Sequence, residues 1–292
     1  MLTTKQAVMR MKADIQLRGL SKNTMSSYLT HAEIFLNYCE KPAQELDEKD
    51  VRRFLGHLIN GSKHTPATIN NYSAAIRFFF AVTLNRTMNY LQIPRMKAAK
   101  TLPEVITKDE ASELINNCRN IKHRALLLLA YGSGLRVNEI ACLRIRDIDS
   151  ETMRVFVNGG KGKKDRYTLL SENTLLALRK YWREYRPKSK DGWLFPGIKN
   201  VGHITTSAIA CAVNTALKGT VIAKNVTPHT LRHAFATHLL ENGLSLLQIK
   251  ELLGHYSIQS TTVYLHLANT TQGIISPAEH IKTPIFEDVD YD

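Results

Sequence analysis

A chain of 292 residues with 43% hydrophobic residues is long enough for two domains, each with its own core. Its 39 Lys and Arg against 26 Asp and Glu leave a net charge of +13 and a pI near 9.6, which points to a polyanionic partner but fits an ordinary basic protein as well. No apolar run approaches the ~20 residues of a membrane span, and M-L-T-T-K-Q-A-V-M-R lacks an apolar signal core. The four cysteines, Cys39, Cys118, Cys142 and Cys211, show no C-x-x-C spacing, which argues against a zinc site or disulfide frame and for buried thiols in a reducing cytoplasm.

Positive charge is concentrated at the start: residues 1–100 carry 15 Lys and Arg against 7 Asp and Glu. Four short helices are predicted there, forming a domain over 1–93. Thr3 to about Arg18 is amphipathic and Gly19 ends it. Ser21 opens a second helix, on which Tyr28, Ile34, Phe35 and Tyr38 give roughly helical spacing. Asp47 caps a third, which runs to Ile59 and stops at Gly61. Thr65-Pro66-Ala67 starts a fourth, with Ile69, Tyr72, Ile76, Phe79 and Phe80 as its apolar stripe. A helical module with basic faces fits a DNA clamp, with Lys22, Asn23, Lys63, His64 and Arg77 as candidate phosphate contacts, and Lys163 further along the chain as another DNA contact. The rival reading has the aromatics in the core and these polar side chains merely solvated.

Residues 94–104, P-R-M-K-A-A-K-T-L-P-E, read as a basic linker held between two prolines. A second domain is expected over 105–292. Thr107 caps K-D-E-A-S-E-L-I, and H-R-A-L-L-L-L-A-Y forms a strongly apolar helix ended by Gly132 and Gly134. L-R-V-N-E-I-A-C-L starts the next helix, so Arg136 lies at a helix N-terminus, where dipole and free amides favour an anion. A structural arginine paired with Glu139 is the rival. M-R-V-F-V-N and D-R-Y-T-L-L alternate like two strands joined by the basic tip G-G-K-G-K-K, which is not a P-loop because G-x-x-x-x-G-K-[ST] is absent. Thr227-Pro228 opens a helix to about Glu241, with Leu231, Phe235 and Leu239 facing the core and His229 and Arg232 sharing a different face. Ser245 caps L-L-Q-I-K-E-L-L, Gly254 ends it with His255 at the turn, and Ser257 caps a short helix carrying Thr261, Thr262 and Tyr264. His233, His238 and His266 are assigned to packing. From about 268 to 292 the tail has little helical pattern, and Ile274, Ile275, Ile281, Ile285 and Phe286 are apolar anchors without an obvious home. The fold class is mainly α with a small β-sheet.

Arg136, Lys161, His229, Arg232, His255 and Tyr264 together supply what cleavage of a DNA phosphodiester without metal or nucleotide cofactor needs. Two planar guanidinium forks can hold the non-bridging oxygens of a five-coordinate phosphorus. Histidines add donors or carry protons. A tyrosine can be the covalent nucleophile, although its phenol needs a base or a strongly positive pocket to react at neutral pH. A lysine on a hairpin tip, Lys161 or its neighbour Lys163, can protonate the departing 5′ oxygen. Taken alone, each has a bland alternative: Tyr264 as a half-buried aromatic, the turn lysines as solvated charges.

The series His229-x-x-Arg232, then L-L-G-His255, then Tyr264, with Arg136 in G-L-R-V-N-E-I and Lys161 in a glycine-rich turn, resembles the tyrosine recombinase (phage integrase) family, and its compact Xer-type members most. The resemblance covers most of the chain and is most specific from about residue 105 to 268. It implies a SAM-like helical core-binding domain followed by an α+β catalytic domain. It further implies site-specific strand exchange through a 3′-phosphotyrosine and a Holliday junction, by a tetramer on two duplex sites. In that pattern Tyr264 is the nucleophile, Arg136 and Arg232 bind the scissile phosphate, Lys161 is the general acid, and His229 and His255 assist. The family's C-terminal segment docks on a neighbouring protomer. A cytoplasmic, nucleoid-associated protein is expected, using simple core sites because no separate small domain precedes the helical module; a helper protein stays open. The rivals are a type IB topoisomerase-like activity and a non-catalytic regulator using residues 228–253 as a helix-turn-helix.

Overall fold

The computed structural model describes residues 2–61, 64–88, 95–97, 104–159 and 165–267. Lys63, Lys161, Lys163, most of the linker and the tail from 268 lie outside them, as does the side chain of His266. Backbone contacts divide the chain into two units, Met1–Lys100 and Thr101–Asp292.

In the first unit each helix begins where a side chain can satisfy free amides. Thr3 and Gln6 form a reciprocal capping box at the start of α1 (Thr4–Leu17), which buries Ala7, Met11 and Ile15 at four-residue intervals. Ser21 caps α2 (Lys22–Cys39). α3 (Glu48–Gly61) opens with Asp47 accepting from the Asp50 amide, and the buried Asp50 carboxylate takes Lys41 and Arg53 at 3.0 Å each. Thr65 caps α4 (Pro66–Phe78), where proline fills the first turn at no cost because its missing N–H would have had no partner. A π-turn over Phe79–Thr83 continues α4. The core gathers Met11, Phe35, Leu36, Phe54, Ile76, Phe79 and Phe80. Ile34 departs from the predicted stripe: it is exposed, and Leu36 is buried in the core that Phe35 also joins.

In the second unit Thr107 and Glu110 form the capping box of α5 (Lys108–Asn116). α6 (Ile121–Gly132) buries Ala125, Leu126, Leu127, Leu129 and Ala130 and runs through the middle of the main core. α7 (Val137–Ala141) follows a turn at Gly134. An antiparallel three-stranded sheet comes next, in the order β1 (Ile148–Asp149), β2 (Arg154–Val157), β3 (Arg166–Leu169). Val155 pairs with Thr168 and Val157 with Arg166. The hairpin of β2 and β3 matches the alternating sequence; β1 has two residues, too few to show any alternation. α8 (Glu172–Tyr185), α9 (Thr206–Leu217), α10 (Pro228–Glu241) and α11 (Leu246–Leu253) complete the helices. The expected short helix after Ser257 is instead two tight 3-10 turns, Ile258–Ser260 and Thr262–His266, broken at Thr261. Among the described residues no helix is long and apolar enough to cross a membrane.

Leu231 joins the main core, whereas Phe235 belongs to a smaller cluster with Ala236, Ile249, Leu253 and Tyr264, with Leu239 packed at its edge. Gly134 is the tightest point between α10 and the turn before α7. Its φ is +61°, and a Cβ there would lie 2.3 Å from Phe235 Cδ1. Gly243, with φ +89°, has open space instead. Gly243→Ala should therefore cost about 1–2 kcal/mol from the left-handed backbone alone. Gly134→Ala should cost a further ~1–3 kcal/mol from overpacking against Phe235. Chemical denaturation of both variants checks this; equal losses would show that Phe235 swings aside freely.

Candidate active site

Helix α11 ends at Gly254, whose left-handed φ of +62° turns the last carbonyls outward without intrahelical partners. Three arginines from three different elements take them. Arg166, on β3, donates from Nε to Leu252 O at 2.8 Å. Arg232, on α10, donates from Nη2 to Leu253 O at 2.7 Å and from Nη1 to Gly134 O at 2.5 Å. Arg136, at the N-terminus of α7, donates from Nη2 to Gly254 O at 3.2 Å. The negative end of the α11 dipole thus faces guanidinium groups. Gly254 has little freedom to change, because a Cβ would sit 2.8 Å from Arg166 Cδ.

The same three arginines meet one buried carboxylate. Glu139 on α7 receives Arg136 at 2.7 Å and both terminal nitrogens of Arg166 at 2.9 and 2.7 Å, with Arg232 3.7 Å away. Its second oxygen also accepts the Arg136 amide. Burial alone would push this carboxyl up, but the Arg166 bidentate pair and Arg136 overcome it and hold its pKa at about 2. Burial, followed by the nearby Arg136, pushes Arg232 down to about 9, which leaves it charged at neutral pH. Three positive charges on one negative leave an excess of two in a pocket where the Arg232 side chain is only 5% exposed and that of Arg136 21%. Such a pocket is built for an anion, and Arg136 is the arginine most open to solvent.

Beside it lies Tyr264, 1% exposed. Its hydroxyl is 3.2 Å from His233 Nδ1, and its ring stacks against His255 at 6.3 Å between centroids with 17° between planes. Burial raises the phenol pKa, and Arg232 and Arg136 pull against it. His255 holds Thr261 Oγ1 at 3.0 Å through Nδ1; burial, then Arg232 and Arg136, lower its pKa to about 4, so it is neutral at pH 7. His229 sits at the exposed start of α10, its pKa lowered by partial desolvation and by Arg232 and Arg136.

Of the residues singled out in the sequence, Arg136, Arg232, His255 and Tyr264 come together here with His229 at the margin. The expected split of α10 into a packing face and a chemical face is corrected in one respect: Arg232 is itself buried, drawn inward by the Gly134 and Leu253 carbonyls. His238 is buried and bonded to Tyr131 at 2.9 Å, as a packing residue would be. The sequence assigns His233 to packing as well, yet it touches the Tyr264 hydroxyl. Arg166 carried no sequence signal, and Glu139 entered only as a rival partner for Arg136; the structure makes that ion pair part of the site. Lys22 and Asn23 are exposed at the start of α2, and His64 is exposed just before α4. Arg77 is half-buried in the last turn of α4, about 16 Å along the axis from its start, so these candidates do not form one cluster. Residues 228–253 do form a helix, a turn and a helix. However, α10 is buried at Thr230, Leu231 and Arg232 and again from Ala234 to His238, rather than presented to solvent. Among the described residues no group of three or more His, Cys, Asp or Glu side chains is placed to hold a metal ion.

Residues 104–271 match the phage integrase family, and residues 8–90 match the phage integrase N-terminal SAM-like domain. The chain is 41% identical over 277 residues to a Sinorhizobium fredii protein provisionally named integrase/recombinase y4qK, covering 94% of this chain and 89% of that one. It is 32% identical over 266 residues to a tyrosine recombinase of Thermosipho africanus, covering 87% and 92%. The fold is similar to that of the XerH site-specific recombinase bound to difH substrate, with a TM-score of 0.69 at 21% identity over 92% of this chain and 82% of the other.

A carboxyl whose folded pKa lies below its ordinary 4.5 contributes stability that is complete above that value and is lost as pH falls towards about 2. For Glu139 that contribution is about 3 kcal/mol. Glu139→Gln should be destabilised at pH 7 by about 3–5 kcal/mol, since it leaves three guanidinium groups uncompensated. Urea unfolding of both proteins should show the gap narrowing as pH drops below 4.5; a gap independent of pH would rule out the carboxylate charge as its source.

Proposed function

The chain belongs to the phage integrase family and is a tyrosine site-specific recombinase, and we propose that Tyr264 is its nucleophile and the Arg136–Arg232 pocket its scissile-phosphate site. The observation that carries this reading is the excess positive charge around Glu139, close enough that Arg232 and Arg136 act on the phenol of the buried Tyr264. A DNA phosphodiester entering the pocket supplies the missing negative charge. Arg136 and Arg232 already have their planes set by Glu139 and by backbone carbonyls, so little reorganisation is needed when charge develops on the non-bridging oxygens. Tyr264 Oη attacks phosphorus, the bond to the 5′ oxygen breaks, and a 3′-phosphotyrosine keeps the energy of the broken strand for rejoining. Lys161 on the hairpin tip is the general acid in this reading, with Lys163 as its competitor. His255, neutral and oriented by Thr261, and His229 donate to the phosphate.

One tyrosine per protomer cuts one strand, so exchange between two duplexes calls for four protomers on two sites. In this reading residues 1–93 clamp the duplex, 94–104 link, and 105–292 catalyse, with the segment from about 268 exchanged between neighbours. Such an enzyme works in the cytoplasm, on the nucleoid. The separate helical unit favours strand exchange over a type IB topoisomerase-like activity, and a regulator would leave Arg136, Lys161 and Tyr264 without a role.

Tyr264→Phe should abolish the covalent adduct on a nicked suicide duplex while leaving binding intact, as read by denaturing gels and gel shift; an adduct that persists removes Tyr264 as nucleophile. Arg232→Ala should lower the single-turnover cleavage rate by about 3 kcal/mol of transition-state stabilisation or more. Near-normal cleavage by that variant would take Arg232 out of the site.

A further inference from the structure

We propose that His233 is the base that receives the proton of the Tyr264 hydroxyl during DNA cleavage and returns it on rejoining. The proposal rests on Tyr264 as the nucleophile. Among the described residues, the hydrogen-bond partner of the Tyr264 hydroxyl is His233 Nδ1, at 3.2 Å, with the rings 5.7 Å apart. For Nδ1 to accept, the ring proton must be on Nε2. The proton's path is then short and direct. As the Oη–P bond forms and the phosphorus–5′-oxygen bond breaks, the Oη–H bond gives its proton to Nδ1, and the 5′ oxygen takes a proton from a separate acid. On rejoining, the 5′-hydroxyl returns its proton to the conjugate base of that acid as it attacks phosphorus, the Oη–P bond breaks, and His233 protonates Oη.

The surroundings favour His233 over the other two histidines. His255 faces Tyr264 ring to ring, and its Nδ1 is committed to Thr261. With a pKa near 4 it is also a weak base. His229 lies one helical turn before His233 on α10 and at the exposed margin. The groups that bear on His233 are His229 and Arg232 from its own helix, Tyr264 from the last 3-10 turn, and His255 from the end of α11. Burial first, then His229 and Arg232, lowers its pKa, so His233 is neutral and able to accept a proton at pH 7. The imidazolium formed on proton transfer arises as the phenol's negative charge passes to the phosphate, close by.

The test is single-turnover adduct formation on a suicide duplex from pH 5 to 9, with wild type, His233→Ala, His233→Gln and Tyr264→Phe, each checked for DNA binding. Wild type should rise with pH and level off by about pH 7. His233→Ala should be slower by on the order of 100-fold at pH 7 and keep climbing with pH above 7, as the phenol must lose its proton to solvent. Added imidazole should restore part of its rate. His233→Gln keeps a hydrogen-bonding group at that position without a titrating one, so it should be as slow as His233→Ala, and it carries the test if the alanine variant fails to fold. A levelled profile above pH 7 in either variant, or wild-type rates in His233→Gln, would overturn the proposal. An adduct in Tyr264→Phe would instead remove the nucleophile assignment on which it rests.

Discussion

The site depends on one buried carboxylate. Glu139 lets Arg136, Arg166 and Arg232 share a small, poorly hydrated volume in which they would otherwise repel one another. The carbonyls at the end of α11 perform the second half of that task, accepting one arginine each. Through these contacts α7, β3, α10 and α11 are fixed to one another by polar bonds rather than by apolar packing alone. A chain that lost the carboxylate would keep the carbonyls that draw these arginines inward but leave their charges uncompensated.

Tyr264 inherits its position from this arrangement. Gly254 ends α11 in a left-handed turn, His255 is pinned to Thr261, and two 3-10 turns lead the chain back over α10, where Tyr264 packs with Phe235, Ile249 and Leu253. The tyrosine is held by a five-residue turn and a small satellite cluster, not by a long helix in the main core. That is a lightly anchored element, which suits the nucleophilic role proposed for Tyr264. Burial and positive charge act on the phenol in opposite directions, and its hydroxyl meets His233 rather than an arginine.

Much of this was legible before any coordinates. Thr3, Ser21, Thr65, Thr107, Thr227 and Ser245 announced their helices because a cap acts within three residues. The hairpin of β2 and β3 is legible from its alternation, and the types and order of Arg136, Arg232, His255 and Tyr264 single out side chains that the structure brings together. β1 was not, because two residues carry no period. Ile34 was misplaced because neighbouring positions on a helix differ by about 100°, and the true stripe runs through Phe35 and Leu36. Arg166 and His233 were invisible as site residues: one looks like any strand arginine, the other like a helix residue next to a more important one.

By itself, then, the sequence determined the helical class, the starts of most helices, the family and a candidate set of reactive side chains, since all of these follow from local spacing and residue chemistry. Only the tertiary structure decided that Arg232 is buried, that Glu139 gathers three arginines, and that His233 rather than His255 meets the Tyr264 hydroxyl. The physical reason is range. A cap or an apolar stripe is set by residues a turn apart, whereas Arg166 reaches Glu139 across 27 positions and Arg136 reaches Gly254 across 118, and such partners are chosen by how the elements pack.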